Sequence, residues 1–259
     1  MAKALDQHVA MISGGIGDIG RAIAIELARR GAHVALGDIR PASDATATLE
    51  QLKALEVRGR YDQVDVSNPE QVKSWVAAVE QDLGVANLII PNAAVVSLVP
   101  IFALAPDQWS RELEVNLTGA FHLAHAGAMR LMDQKEPGRI VFIGSWAAHA
   151  PHPFITTYCV AKAGLRMLCK CMALDLAPYR ILVNEVAPGY VNAGLSASVW
   201  NDHPGLRDRA AQRTPTRQLI EPADVAVQVA HLCDPANRHM TGSTLLMDGG
   251  LSLVTPAKK

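Results

Sequence analysis

A chain of 259 residues that is 49% hydrophobic, 19% charged and 5% aromatic has enough apolar surface for one substantial core, and its length is that of a single α/β domain. Lys and Arg total 24 against 25 Asp and Glu, a net charge of −1, and the only basic tail is Lys258-Lys259. That balance excludes a nucleic-acid or anionic-membrane footprint and leaves a small-molecule substrate as the expected partner.

Four cysteines, Cys159, Cys169, Cys171 and Cys233, make neither a disulfide framework nor a spaced metal quartet, so free thiols in a reducing compartment are expected. The early apolar run Val9 to Ile12 is too short for the core of a signal peptide. Leu88 to Ala105 is broken by Pro91, Asn92 and Pro100 and does not span a membrane. These features predict a soluble cytoplasmic protein.

In chain order, β-rich runs alternate with helical patterns. A strand over His8–Ser13 precedes a helix over Ile19–Arg30, and a strand over His33–Asp38 precedes a helix over Ala42–Val57. Arg60–Val66 reads as a strand, Pro69–Asp82 as a helix introduced by Ser67-Asn68-Pro69, and Asn87–Ile90 as a strand. A long helix over Pro106–Met132, a strand over Arg139–Ser145, a helix over Tyr158–Ala177 and a strand over Arg180–Val186 follow. Gly189–Arg217 mixes Gly, Pro, Asn and Arg and reads as an excursion that forms a substrate lid, and a helix over Pro222–Leu232 and a strand over Thr244–Met247 complete the pattern. The alternation predicts one domain with a seven-stranded parallel sheet and crossover helices on both faces.

Two motifs carry chemistry. Ser13-Gly14-Gly15-Ile16-Gly17-Asp18-Ile19-Gly20 joins the first strand to the first helix, where glycines let the backbone approach a pyrophosphate and the helix N-terminus stabilises its charge. Strand-to-helix turns are glycine-rich for steric reasons alone, so the weight comes from context. Asp38 ends the second strand, 18 residues after Gly20, where a carboxylate accepts hydrogen bonds from an adenosine ribose and repels the 2′-phosphate of NADP. Arg40, two residues on, either meets such a phosphate or points to solvent, and NAD is the expected cofactor. The second motif is Tyr158-Cys159-Val160-Ala161-Lys162, whose i, i+4 spacing puts Tyr158 and Lys162 on one helix face. A neighbouring ammonium stabilises a phenolate and lowers a tyrosine pKa of about 10, so Tyr158 is a candidate general acid/base and Ser145 a candidate partner for the same substrate oxygen. Taken alone, the pair also fits an ordinary amphipathic helix.

Together these residues resemble the short-chain dehydrogenase/reductases from about Val9 to Leu251. Ser13 to Gly20 resembles T-G-x-x-x-G-x-G, Asp65-Val66 the adenine-contacting pair, Asn92-Ala93 the core of N-N-A-G, and Pro188-Gly189-Tyr190-Val191 the P-G-x-V segment beside the nicotinamide. The resemblance implies a doubly wound Rossmann fold, a homotetramer built on pairs of long helices, and a tetrad of Asn116, Ser145, Tyr158 and Lys162. In it Tyr158 is the acid/base, Ser145 orients the substrate oxygen, Lys162 binds the nicotinamide ribose and lowers the tyrosine pKa, and Asn116 holds a relay water. Asn116 also suits a helix-kinking or backbone-capping role inside Glu114–Gly119, and it can coexist with the relay role. The implied reaction is hydride transfer between the nicotinamide and a secondary alcohol or ketone.

Asp18, Pro91, Ala94 and Ala193 depart from the family pattern. Asp18 replaces the middle glycine and brings negative charge near a pyrophosphate unless its side chain turns away. Ala193 lacks the hydroxyl usual there, which leaves the Val191 backbone to contact the carboxamide. His149 and His152 lie between Ser145 and Tyr158 as candidate substrate contacts and are too few for a metal site. Trp200, Asn201, His203 and Arg207 offer stacking and cationic donors for a sugar, polyol or sugar acid. Competing expectations are an NADPH-dependent 3-oxoacyl-type ketoreductase, which favours a basic residue at position 38, and a non-catalytic dinucleotide sensor, which has no need of Ser145, Tyr158 and Lys162 together.

Overall fold

The computed structural model describes residues 3–194, 196, 200 and 204–254. Seven parallel strands form one sheet in the order β3-β2-β1-β4-β5-β6-β7. They are β1 (Val9–Ser13), β2 (His33–Asp38), β3 (Gly59–Gln63), β4 (Leu88–Ile90), β5 (Gly138–Ile143), β6 (Ile181–Pro188) and β7 (Thr244–Met247). Between them, among the described residues, run α1 (Asp18–Arg29), α2 (Thr46–Ala54), α3 (Pro69–Leu83), α4 (Pro106–Leu113), α5 (Ala120–Gln134), α6 (Thr156–Leu176), α7 (Pro204–Arg213) and α8 (Pro222–Cys233).

Both faces of the sheet are covered, which is why β1 and β4 are buried throughout rather than alternating. Successive side chains point to opposite faces. Ala10, Ile12, Leu88, Ile90, Val141 and Ile143 join α1 and α8 in one core, while Val9, Met11, Ile89, Ile140 and Phe142 join α3, α5 and α6 in the other. Asn68 caps α3 by accepting from the Glu70 and Gln71 N–H groups at 3.1 and 3.2 Å, with Pro69 at the first helical position, as its sequence predicts.

Three boundaries differ from the sequence expectation for identifiable reasons. The run Pro106–Met132 is two helices, α4 and α5, separated by a π-helical turn over Glu114–Gly119. The expected helix over Ala42–Val57 opens as a 3-10 turn, Ala42–Ala45, and α2 stops at Ala54, with Glu56 in the left-handed region at φ 62°. β3 stops at Gln63 because the Asp65 carboxylate accepts from the Ser67 N–H at 2.9 Å and turns the chain. The excursion after Gly189 contains α7, which the composition of that segment hid.

Chain order reverses between β1 and β4, and in such sheets the crevice beyond the strand C-termini at that point is where ligands bind. Ser13, Pro91, Gly144 and Gly189 each lie at or immediately beyond the C-terminal end of β1, β4, β5 or β6.

Candidate active site

The glycine turn and the β4 loop lock together. Ser13 Oγ accepts from the Asn92 and Ala93 N–H groups at 3.0 and 3.2 Å, and Asn92 Nδ2 donates to the Ser13 and Gly14 carbonyls at 3.0 and 3.1 Å. Gly14 takes φ +61°, and a Cβ there would sit 2.9 Å from Ala93 Cα, so only glycine allows this approach. Replacing the first Asn and the Gly of the resembled motif by Pro91 and Ala94 therefore leaves the Asn92 anchor intact. Gly17 provides no side-chain cap for α1, which leaves the first-turn N–H groups beside a cleft of about 380 Å³ lined by Gly14, Gly17, Asp18, Ile19 and Gly20. The Asp18 carboxylate accepts from the Gly194 N–H at 2.8 Å, tying the helix to the start of the excursion.

At one end of the cleft, Asp38 is paired with Arg40. Asp38 Oδ1 accepts from the Arg40 N–H and Nε at 3.2 and 3.3 Å, and Oδ2 accepts from Nη2 at 3.3 Å. Arg40 is thus neither free in solvent nor turned outward for a phosphate. Asp65 and Val66 line the same end; Asp65 is held by Ser67 Oγ at 2.7 Å and by Arg111 Nη2 at 3.1 Å. Arg111 is a lining cation that sequence reasoning missed.

At the other end, Ser145, Tyr158, Lys162, Pro188, Gly189 and Val191 line the wall. Lys162 is 2% exposed, donates to the Ile143 carbonyl at 2.8 Å and sits with Nζ 5.4 Å from the Tyr158 ring centre. Burial draws this ammonium down to about 8, opposed by Glu185. Burial also pushes the Tyr158 phenol up to about 12, against the hydrogen bond of Ser145 and with reinforcement from Cys159 and Glu112. The expected depression of the tyrosine is therefore not produced by the chain's own groups: desolvation outweighs the Ser145 hydrogen bond, and Lys162 is not among the groups that shift the phenol.

Asn116 lies in the π-helical turn, 1% exposed, where Oδ1 accepts from the Val95 N–H and Nδ2 donates to the Val95 carbonyl, both at 2.8 Å. The backbone-capping role expected for it is present. One helical turn earlier, the buried Glu112 accepts from the Ser97 N–H at 3.2 Å and is hydrogen-bonded by Thr157. Tyr190 and Asn192 bond to Ile220 through the Tyr190 carbonyl and the Asn192 N–H, so the intervening Val191 N–H and C=O are not used in that pairing.

The two histidines separate. His149 is exposed, with Arg166, Glu185, Asp248 and Lys170 as its charged surroundings, and neither it nor His152 lines the cleft, contrary to the expectation for both. His152 packs edge-on to Trp146 at 4.1 Å and lies 5.9 Å from Tyr190, with Nε2 buried and lacking a partner among the described residues. Burial, then Arg213, pulls this imidazole down to about 4. Trp200 is buried, Arg207 Nε donates to Asn192 Oδ1 at 3.0 Å, and Asn201 and His203 lie outside the described residues. No group of three or more His, Cys, Asp or Glu is placed to hold a metal among the described residues, and no helix there is long and apolar enough to cross a membrane.

The family model described as Enoyl-(Acyl carrier protein) reductase matches residues 15–252. The chain is 31% identical to the 2,3-dihydro-2,3-dihydroxybenzoate dehydrogenase of Bacillus subtilis, over 97% of this chain and 98% of that protein. It is also 31% identical to the 3-oxoacyl-(acyl-carrier-protein) reductase FabG of Vibrio cholerae, over 96% of this chain and 99% of the relative. A solved NAD+-bound xylitol dehydrogenase superposes with a TM-score of 0.89 at 28% identity, covering 96% of this chain and 100% of the other. With the glycine turn at the C-terminal end of β1 in a doubly wound sheet, and with these matches over nearly the whole chain, the chain belongs to the short-chain dehydrogenase/reductase family of oxidoreductases acting on alcohol and keto groups.

Proposed function

We propose that this protein is an NAD-dependent dehydrogenase that oxidises a secondary alcohol of a sugar, polyol or sugar acid, within a single dinucleotide-binding and catalytic domain. The observation that carries the reading is one continuous cleft with Asp38 at one end and Ser145, Tyr158 and Lys162 at the other. The residues fit a dinucleotide. The uncapped N-terminus of α1 suits the pyrophosphate, with the Asp18 charge drawn aside to Gly194. Asp38 suits the adenosine ribose, Asp65-Val66 and Asn92-Ala93 flank the adenine, Tyr158 and Lys162 suit the nicotinamide ribose, and the Val191 backbone suits the carboxamide. Bound there, the nicotinamide supplies the hydride acceptor and a positive charge.

The chain's own part is the proton. Ser145 Oγ would hold the substrate hydroxyl, and Tyr158, once its own proton has passed to the relay water and on to solvent, would take the hydroxyl proton as phenolate while the hydride leaves the carbon that bears that hydroxyl. Lys162 keeps a cation beside the phenol, and Asn116 both fixes Val95 and holds a relay water. His152, with its unpartnered Nε2, and His149 both lie outside the cleft lining and are kept as contacts only for a substrate that reaches beyond it. The dihydrodiol substrate in the Bacillus relative's name and the NAD+ and xylitol in the structural relative's title support a polyhydroxylated alcohol and NAD.

One observation favours the acyl ketoreductase instead. Leu98, Ile101, Phe102 and Phe154 are exposed on the two segments that follow Val95 and precede Tyr158, joined where the Val99 N–H meets the Phe154 carbonyl at 2.8 Å, and they form an apolar surface suited to an acyl chain. The experiment is a screen for NADH formation over sugars, polyols, sugar acids and hydroxyacyl esters at mildly alkaline pH, repeated with Tyr158→Phe. That variant is expected to lose about 10²- to 10⁴-fold in turnover while still binding NAD. Full activity of Tyr158→Phe would refute the tyrosine mechanism, and turnover only with NADP(H) and acyl esters would favour the second reading.

A further inference from the structure

In β6 the sequence Ile-Leu-Val-Asn-Glu-Val-Ala-Pro places a carboxylate, Glu185, in the middle of a strand covered on both faces, and the side chain is 0% exposed. Three groups surround it. Arg166 of α6 pairs with it through Nε to Oε2 at 2.8 Å and Nη2 to Oε1 at 3.1 Å, and Thr244 Oγ1 donates to Oε2 at 2.6 Å. Gly144, between the end of β5 and Ser145, makes the room: a Cβ there would collide with Glu185 Oε1.

The pair reaches the catalytic strand end. Arg166 Nη2 also donates to the Ser145 carbonyl at 3.2 Å, and Lys162 Nζ donates to the Ile143 carbonyl at 2.8 Å. Tyr158, Lys162 and Arg166 are spaced i, i+4, i+8 on α6 and so form one stripe facing the end of β5. The segment Ile143-Gly144-Ser145 is thus gripped at both carbonyls by α6 cations and backed by the carboxylate that holds one of them. A buried ion pair of this kind is commonly no more stabilising than apolar residues of the same volume, so stability alone does not account for it.

Building on the dehydrogenase reading above, we propose that the buried Arg166–Glu185 pair is a positioning device for the catalytic serine, holding the Ser145 backbone so that its hydroxyl stays in reach of the substrate oxygen beside Tyr158. Neither residue touches substrate, cofactor or the reacting atoms. The pair acts through the Ser145 carbonyl, and Gly144 is small because the carboxylate occupies the space behind it.

The test is the double variant Arg166→Met/Glu185→Met, which removes both charges without leaving either one buried and unpaired. Its melting temperature and NADH binding by fluorescence are expected to match wild type, while kcat falls by about tenfold or more at little-changed KM, the consequence of a misplaced reacting group. Its crystal structure is expected to show Ser145 Oγ displaced by more than about 0.5 Å, the tolerance of a productive site. Should the double variant fail to fold, Arg166→Lys keeps a cation beside Glu185 and loses the fork that reaches Ser145, and the same fall in kcat at unchanged melting temperature is expected. Full kcat in either variant, or an unmoved Ser145 in the crystal structure, overturns the proposal. A wild-type protein inactive on every screened alcohol and ketone would sink the dehydrogenase reading instead, and the Ser145 coordinates would still decide the positioning role.

Discussion

Lys162 is buried and Tyr158 half-buried, and desolvation moves their pKa values in opposite directions because it disfavours the phenolate and disfavours the ammonium. Without added dinucleotide, the group of this pair that loses its proton first on raising the pH is therefore Lys162, near 8, while Tyr158 remains a phenol towards 12. An ultraviolet difference titration of wild type against Tyr158→Phe should accordingly show no tyrosinate from Tyr158 below its ordinary value of about 10. A signal below that value would mean that the lysine charge outweighs desolvation. Asp38 is the other decisive residue. Its carboxylate is occupied by Arg40, so Asp38→Ala both removes a charge that repels a 2′-phosphate and frees a guanidinium to meet one. Titration calorimetry should give tighter NAD than NADP binding for wild type and a narrowed or reversed preference for Asp38→Ala. Tighter NADP binding by wild type would refute the assignment of NAD.

At the scale of elements, α4 and the π-helical turn build one wall of the site. Glu112 and Asn116, four residues apart, hold Ser97 and Val95, two residues apart on the extended β4 loop, and Val99 then joins the loop that ends at Ile155. Helical and extended periodicities meet here residue for residue. Glu112→Leu leaves the Ser97 N–H without its acceptor and should cost about 1–3 kcal/mol of stability by urea denaturation. Glu112→Gln keeps an acceptor for that N–H and should recover most of the loss. Equal destabilisation by both would show that the charge matters and the hydrogen bond does not. Gln at this position also removes a negative charge that raises the Tyr158 pKa, so its phenol should titrate lower than in wild type.

For the whole molecule, α5 and α6 carry exposed apolar side chains that the single chain does not cover: Phe121 and Met129 on the first, Met167 and Leu174 on the second. An unmatched apolar face on long helices is the usual mark of a subunit interface. We propose the homotetramer that the family resemblance implies, and light scattering at micromolar concentration should return a mass near four times 27.7 kDa. A monomer mass would reject it.

How much of this was legible beforehand follows from the range of the forces involved. Strand and helix order, the glycine turn, Asp38 and the Tyr158/Lys162 spacing are local patterns, set by backbone sterics and by periods of two and of 3.6 residues, and they can be read along the chain. Two of the seven strands, β2 and β7, begin and end at the expected residues, because the acid or turn that stops them is adjacent in sequence. A helix-kinking Asn116 within Glu114–Gly119 is legible in the sequence, but the division of Pro106–Met132 into two helices is not, since Asn116 there pairs with Val95, 21 residues away. Arg40 folding onto Asp38 was a choice between local rotamers that composition does not decide. Glu185 is the one charged residue of β6 and Arg166 lies one turn beyond Lys162, but only packing β5, β6 and α6 together reveals that they meet behind Gly144. The sequence by itself determined the fold class and the family, because the motifs that carry both are written in local pattern. Tertiary structure alone decided the Tyr158 and Lys162 pKa directions, the turning of Asp18 to Gly194 and the separation of His149 from His152, because desolvation and contacts between distant segments exist only once the chain has closed around them.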